Sequence, residues 1–559
     1  MSFKKNNYEI IPIYNLVIFF LVLIIFYIYN LDSDPSIIKR YGDIPDEGYW
    51  VHEARINSIF HLNTLNELKM ASFGAPLFNF LTQISYKFLG VSFFSSRLVS
   101  IISLWIIVIL LFGILNKRIG SKKAIIYSLL FGLTHEMIIY GKLAMPLMLQ
   151  NLFFLLSVFL FDFKTKSEMK HFLVGVSVGF GILSKISGYY FFFVFCIIYL
   201  ILFIRKRNNF SQTILYVSGC LVVVAPHLKN LFFDNFNEFQ FMMSNIADGG
   251  FLSNIIGNES DGNFFKNISI NQLTFFLQIS LFKSPGTIFI LIGILILSCF
   301  NFLAQENNEN FRSLKEICLI WIFVNIFFLT INNQVHLDRR TVGLFIPFYL
   351  LFIALIELKS INHIKFKFNS SKIFILFTLT IIIITYYLSG LFGAAGRNYL
   401  NTEEKLFFFD TSNKVRFLII LPIVSVISYL LFAIQVTKLK QFFIISFFLV
   451  NLILNSFLYI WPSYTIRDSS KNIINKIKLS EAKYLYGSNS YLYSIENKLI
   501  PIWNFNSKLN LQLIKNVKND EIIFVSEDQK SDKDYLFYDS IIFNTLTNKY
   551  KKKIYFYSN

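Results

Sequence analysis

The sequence predicts a polytopic α-helical membrane protein of about thirteen spans that ends in a small α/β domain on the outer side. Three observations lead there. Apolar residues make up 55% of the 559 positions, 67 of them Phe, and only 15% are charged, too few to clothe a water-facing surface of that size. Uncharged runs of span length recur along the chain, and a helix rising about 1.5 Å per residue needs about 20 residues to cross a roughly 30 Å hydrocarbon core. Lys and Arg gather in short clusters between alternate pairs of runs, the mark of cytoplasmic loops.

The first run, residues 10–30, carries no charge after Glu9. It is longer than a signal-peptide core and no small-residue cleavage pattern follows, so it is expected to remain as the first span, with its N-terminus inside. The next cores fall at 97–115, 124–140, 145–161, 172–188, 189–204, 211–228, 285–303, 316–332, 341–357, 373–391, 417–436 and 441–461. With that start, every inner connection is basic: Lys117, Arg118, Lys122 and Lys123; Lys164, Lys166 and Lys170; Arg205, Lys206 and Arg207; Arg312 and Lys315; Lys359, Lys365, Lys367 and Lys372; Lys438 and Lys440. The formal charge of +18 is therefore a topology signal rather than a nucleic-acid footprint. An odd number of spans leaves the C-terminus outside. Cys196, Cys220, Cys299 and Cys318 lie in or beside apolar runs without paired spacing, which supports neither a disulfide framework nor a metal site.

The outer segments are then residues 31–96, 229–284, the HLDRR turn at 336–340, 392–415 and a tail from 462 to 559. In the first, YWVHEARINSIF and PLFNFLTQISYKFLG have helical apolar spacing and are expected to lie as amphipathic helices in the interface plane; LTFFLQISLF at 273–282 reads alike. The tail is more charged and holds strand-like pieces, AKYLYG and DEIIFVS, so residues 1–461 form the membrane domain and 462–559 a small outer α/β domain. No solenoid period is present. The densest chemistry lies in PDEGYWVHEAR at 45–55, which crowds Asp46, Glu47, His52, Glu53 and Arg55 into the first turns outside a span. A carboxylate pair there stands where a lipid headgroup can reach it.

Four pieces in this order carry a family resemblance: PDEGYW at 45–50, APLFNFL at 75–81 with FLG at 88–90, SRLVS at 96–100 around Arg97, and GFGILSKISGYYFF at 179–192; HLDRRTVGLFIPFYLL at 336–351 adds a weaker match. Together they resemble the GT-C superfamily of glycosyltransferases, nearest to the protein O-mannosyltransferases and the lipid A aminoarabinose transferases. The resemblance runs over about residues 10–360; beyond that only the plan of further spans and an outer domain is shared. It implies a GT-C-like fold in the inner (plasma) membrane, a polyprenyl-phosphate-linked sugar as donor, a glycan, lipid or protein acceptor on the outer face, contact with membrane lipid, and no nucleic acid.

In such chemistry an acceptor hydroxyl attacks the anomeric carbon, which needs a general base, and the departing lipid phosphate needs cations. The resemblance makes Asp46 the base. Its neighbour Glu47 either raises the Asp46 pKa, orients the acceptor, or holds a divalent cation; the plainer alternative is that both carboxylates solvate a helix end. Lys185, ending an apolar span, is the first choice for the phosphate, with Arg339, Arg340 and His336 beside it. Snorkelling explains Lys185 more simply, and span anchoring the arginines. Two departures stand out: Phe73 precedes the Gly74-Ala75-Pro76 segment where relatives carry Lys or His, and the turn from Tyr140 to Gln150 offers Lys142 but no carboxylate. If the acid that relatives carry in that turn binds metal or acceptor, this protein does without it or uses Glu53 or Glu67. His135 and Glu136 read as a satisfied intramembrane pair, and the sequons at Asn258 and Asn267 as chance. Two other classes stay open: a transporter or flippase of lipid-linked saccharides, and a non-catalytic subunit of the same fold.

Overall fold

A computed structural model describes residues 13–33, 45–60, 70–163, 167–206, 209–237, 311–331, 338–357, 484–486 and 490–502, the strands at 522–526, 536–543 and 552–558, and scattered positions within 239–298 and 444–471. The described helices are α1 (Ile13–Ile28), α2 (Pro45–Phe60), α3 (Met70–Gly74), α4 (Pro76–Leu89), α5 (Phe93–Ile119), α6 (Ser121–Gly132), α7 (His135–Gly141), α8 (Leu147–Phe161), α9 (Met169–Ser184), α10 (Tyr190–Ile204), α11 (Phe210–Lys229), α12 (Arg312–Ile331), α13 (Asp338–Ile356) and the short α14 (Ser490–Tyr493).

Nine of the expected span cores coincide with described helices, α6 and α7 together forming one of them. The cores at 285–303, 373–391, 417–436 and 441–461 fall wholly or largely outside the described residues. By length and composition three described helices can cross a membrane, Phe93–Ile119, Ile186–Ile204 and Phe210–Asp234, and the pair α6–α7, bent by 63°, has the composition of one broken span or a re-entrant loop. Helices α9 and α11 touch backbone to backbone. A Cβ on Gly175 would lie 2.0 Å from the Tyr216 carbonyl oxygen, and one on Gly219 2.2 Å from that of Phe172; without lipid-phase hydrophobic attraction, such close approach is what makes helices associate. At the helix ends expected to face inward Arg118 holds Asp162 at 2.6 Å, and Glu357 receives Lys123 and Tyr127 at 2.8 and 2.6 Å.

The two outer-loop helices differ from each other. In α4, Asn79, Thr82, Ser85 and Tyr86 are buried while Phe80, Ile84 and Phe88, one turn apart, form an exposed apolar ridge, as a helix lying against lipid requires. In α2 the expected amphipathic split is absent, because Glu47, Trp50, Val51, Glu53, Ala54, Arg55 and Ile56 are all buried. Glu47, Glu53 and Arg55 find partners in other segments, which cover the helix with protein around these residues.

In the tail, β1 (Tyr484–Tyr486), β2 (Ile500–Ile502), β3 (Ile522–Ser526), β4 (Leu536–Phe543) and β5 (Lys552–Ser558) make a mixed sheet in the order β2-β1-β3-β5-β4. β1 runs parallel to β2 and β3, while β5 pairs antiparallel with β3 and β4. Short α14 connects β1 to β2 and carries the sheet's contact with α2.

Candidate active site

Pro45 opens α2, as its fixed φ and missing N–H permit at a helix start. Asp46 and Glu47 therefore stand in the first turn, where the helix dipole favours negative charge. At 100° per residue the helix presents three sets: Asp46, Trp50 and Glu53; Glu47, Val51 and Ala54; Gly48, His52 and Arg55.

In the first set, Trp50 meets Lys185. Four residues after Asp46 and on the same helix face, the Trp50 indole lies under the Lys185 ammonium, with Nζ 5.6 Å from the ring centroid, within cation–π reach. Lys185 stands where α9 stops: its backbone is extended (φ −160°, ψ 121°), and its carbonyl accepts from Gly188 N at 2.8 Å and Gln150 Nε2 at 3.2 Å. That break, enforced by a 3₁₀ turn over Ile186–Tyr189, aims the lysine sideways at α2 instead of letting it run on along the span. It is 4% exposed, so the snorkelling lysine expected as an alternative is not what the geometry presents. Glu53 ends this face as a cap: its carboxylate accepts from Ala71 N and Ser72 N, both at 2.9 Å, from the Ser72 hydroxyl, and from Asn79 Nδ2 at 3.2 Å. So engaged, it does not stand in for the acid missing from the turn at 140–150.

The second set faces the bundle. Glu47 is fully buried and grips Arg97 through two bonds, Nε at 2.5 Å and Nη2 at 2.8 Å, while its Oε1 also accepts from Ala144 N at 3.0 Å. Arg97 Nη1 reaches the carbonyls of Leu31 and Ser33 at 2.9 and 2.5 Å. Arg97 thus ties α2, through its forked pair with Glu47, to the segment just after α1. Lys142 is likewise engaged structurally: Nζ donates to the Tyr29 and Asn30 carbonyls at 3.0 and 3.3 Å and lies 4.3 Å from the Tyr459 ring centroid. Burial and the nearby Arg97 charge bring its pKa down to about 7, partly opposed by Asp32.

The third set meets the tail. Gly48 lies against the backbone of Tyr491 and Leu492, His52 packs on Tyr491 with ring centroids 4.2 Å apart, and Arg55 Nη2 donates to the Asn497 and Leu499 carbonyls at 2.8 and 2.7 Å. Burial, with Arg55 near by, pushes the His52 pKa down to about 3; burial lowers that of Arg55 to about 10.

Arg339 and Arg340 occupy the first turn of α13; His336 and Glu67 lie outside the described residues. Among the described residues no three His, Cys, Asp or Glu side chains gather to hold a metal ion. His227 is a residue the sequence reading passed over. In the last turn of α11, it places Nε2 2.9 Å from the Phe73 carbonyl, bringing an imidazole to the segment where this chain has Phe instead of Lys or His. Its signal was a histidine directly after Pro226 at a span's outer end.

The family model described as dolichyl-phosphate-mannose-protein mannosyltransferase matches residues 74–229. Comparison with curated proteins finds no match by sequence. Among solved structures, ArnT from Cupriavidus metallidurans bound to undecaprenyl phosphate superposes with TM-score 0.56 at 13% identity, covering 97% of this chain and 98% of that one. Its apo state gives 0.55 at 12% over the same shares. The oligosaccharyltransferase AglB from Archaeoglobus fulgidus is more distant, at TM-score 0.43 and 11% identity, covering 92% of this chain and 69% of that one. With a fold like that of ArnT along nearly its whole length and a mannosyltransferase-family pattern across residues 74–229, the chain is similar to the GT-C glycosyltransferases.

Proposed function

We propose that the protein transfers a sugar from a polyprenyl-phosphate-linked donor to a hydroxyl of a lipid-linked glycan, a lipid A-like molecule or a protein on the outer face of the membrane. The observation that carries this is the meeting of Lys185 with Trp50, one helical turn from Asp46. In this reading the Lys185 cation at a span end and the Asp46 carboxylate at a helix start, remote in sequence, serve one outer site.

The chemistry assigned to that site is a single displacement. The acceptor oxygen forms a bond to the anomeric carbon as the carbon–oxygen bond to phosphate breaks. The hydroxyl proton passes to Asp46, and the bonding pair leaves on the phosphate oxygen of the polyprenyl monoester. Lys185, with Arg339 and Arg340 at the start of α13, compensates the charge that develops there. Trp50 holds the ammonium over its ring and keeps water from that side. Glu47, locked to Arg97, fixes the first turn of α2 and with it the position of Asp46.

The test is to incubate purified protein with radiolabelled polyprenyl-phosphate sugars and membrane extract. Transfer of label to an acceptor, with release of polyprenyl phosphate, is expected. A protein that moves intact lipid-linked saccharide across vesicles without cleaving it is a transporter, and one inert with every donor is a non-catalytic subunit.

A further inference from the structure

Helix α2 is held from two sides, and the second side belongs to the far end of the chain. Gly48 is in contact with backbone: a Cβ there would lie 2.3 Å from Leu492 N and 2.5 Å from Leu492 Cα. Those atoms cannot rotate aside, so only glycine permits the approach. Two turns further along the same face, the Arg55 guanidinium is wholly buried, yet among the described residues no carboxylate pairs with it. The Asn497 and Leu499 carbonyls are what it binds, and Nε and Nη1 have no hydrogen-bond partner among the described residues. A buried cation with so little compensation is costly to keep for packing alone. The same tail segment also caps the second span, Glu496 Oε1 accepting from Phe93 N at 2.9 Å.

We propose that residues 491–499 are a positioning element of the active site: they clamp the Gly48 and Arg55 face of α2 and thereby set where Asp46, on the opposite face, meets the acceptor. This rests on the reading of Asp46 as base. The clamp acts on the reacting geometry and not on the donor phosphate, which Lys185 and α13 hold from other helices. A misplacement near 1 Å at such a base costs about 100-fold in turnover.

The experiment uses the full chain. Gly48→Ala and Arg55→Met, the latter keeping the apolar stem, are compared with Arg55→Lys, and kcat is separated from the donor KM. In parallel a His52→Cys, Tyr491→Cys pair, in a background with the four native cysteines replaced, reports contact through a short bifunctional thiol reagent, whatever the activity. Expected are cross-linking in the parent that falls in Gly48→Ala and Arg55→Met, kcat reduced about tenfold or more with donor KM within about threefold, and partial recovery of both readouts in Arg55→Lys. Turnover within about twofold of the parent in both variants overturns the proposal, as does a loss confined to donor KM. A wild-type protein that transfers no sugar defeats the reading of Asp46 itself and shows before any variant is made, while the cross-link still reports the contact.

Discussion

At the residue scale the assignments separate into groups that act and groups that hold. Asp46→Asn keeps size and most hydrogen bonding but removes proton acceptance, so the protein should insert and bind donor while the chemical step falls by roughly 10²–10⁴-fold. Full activity in that variant would remove Asp46 from the mechanism. Lys185→Ala should weaken donor use by the value of a charge-assisted contact, about 1.5–3 kcal/mol, with Lys185→Arg retaining part; an unchanged donor dependence, read by single-turnover assay, would pass the phosphate to Arg339 and Arg340. The sequence made the identities of these residues legible, since carboxylates and a lysine at span ends are conspicuous. It could not show that Glu47 is bound to Arg97, because an ion pair between a loop helix and a second span leaves no local spacing to read. The partners of Lys142 and Glu53 were hidden for a like reason: several are backbone groups, which any sequence can supply.

At the element scale α2 is the informative piece. Its composition, charged and aromatic with few long aliphatic side chains, reads as a surface helix, yet it is enclosed by the bundle on one side and the tail on the other. Periodicity reports the difference between wet and dry faces, and a helix dry all round through ion pairs and carbonyl bonds has none to report. The spans were legible for the converse reason, since lipid imposes length and apolarity on every one. The Glu47–Arg97 pair gives this element a testable weakness. Glu47→Gln strips the buried guanidinium of its counter-charge and should destabilise the folded protein by about 3–5 kcal/mol, seen as a lower detergent melting temperature. Lys142→Met, which removes an ammonium held by the Tyr29 and Asn30 carbonyls rather than by a forked ion pair, should cost much less. Equal melting temperatures for Glu47→Gln and wild type would show that the pair contributes no stability.

At the scale of the whole molecule, alternation of basic loops predicts sidedness, and exposure decides which positions can report it. Lys185 and the α13 start are poor reporters, the lysine being buried, whereas Lys87, Lys206 and Lys498 are exposed. Single cysteines at 87 and 498 should react with an impermeant thiol reagent from outside, and one at 206 only after permeabilisation. Labelling of 498 only from within would separate the tail from α2 by a membrane and end both proposals. The Arg55 bonds to Asn497 and Leu499 also set a schedule for biosynthesis. The ribosome makes α2 long before the strand-flanked loop that seats it, and on the proposed topology both must be translocated before they can meet. Until then the catalytic-loop helix has only its Arg97 side docked, and a nascent chain stalled before residue 490 should present position 52 to thiol reagents that the finished protein excludes. On the proposed reading, activity would wait until residues 491–499 are made and seated, and precursors that lack them would be held silent by the order of synthesis.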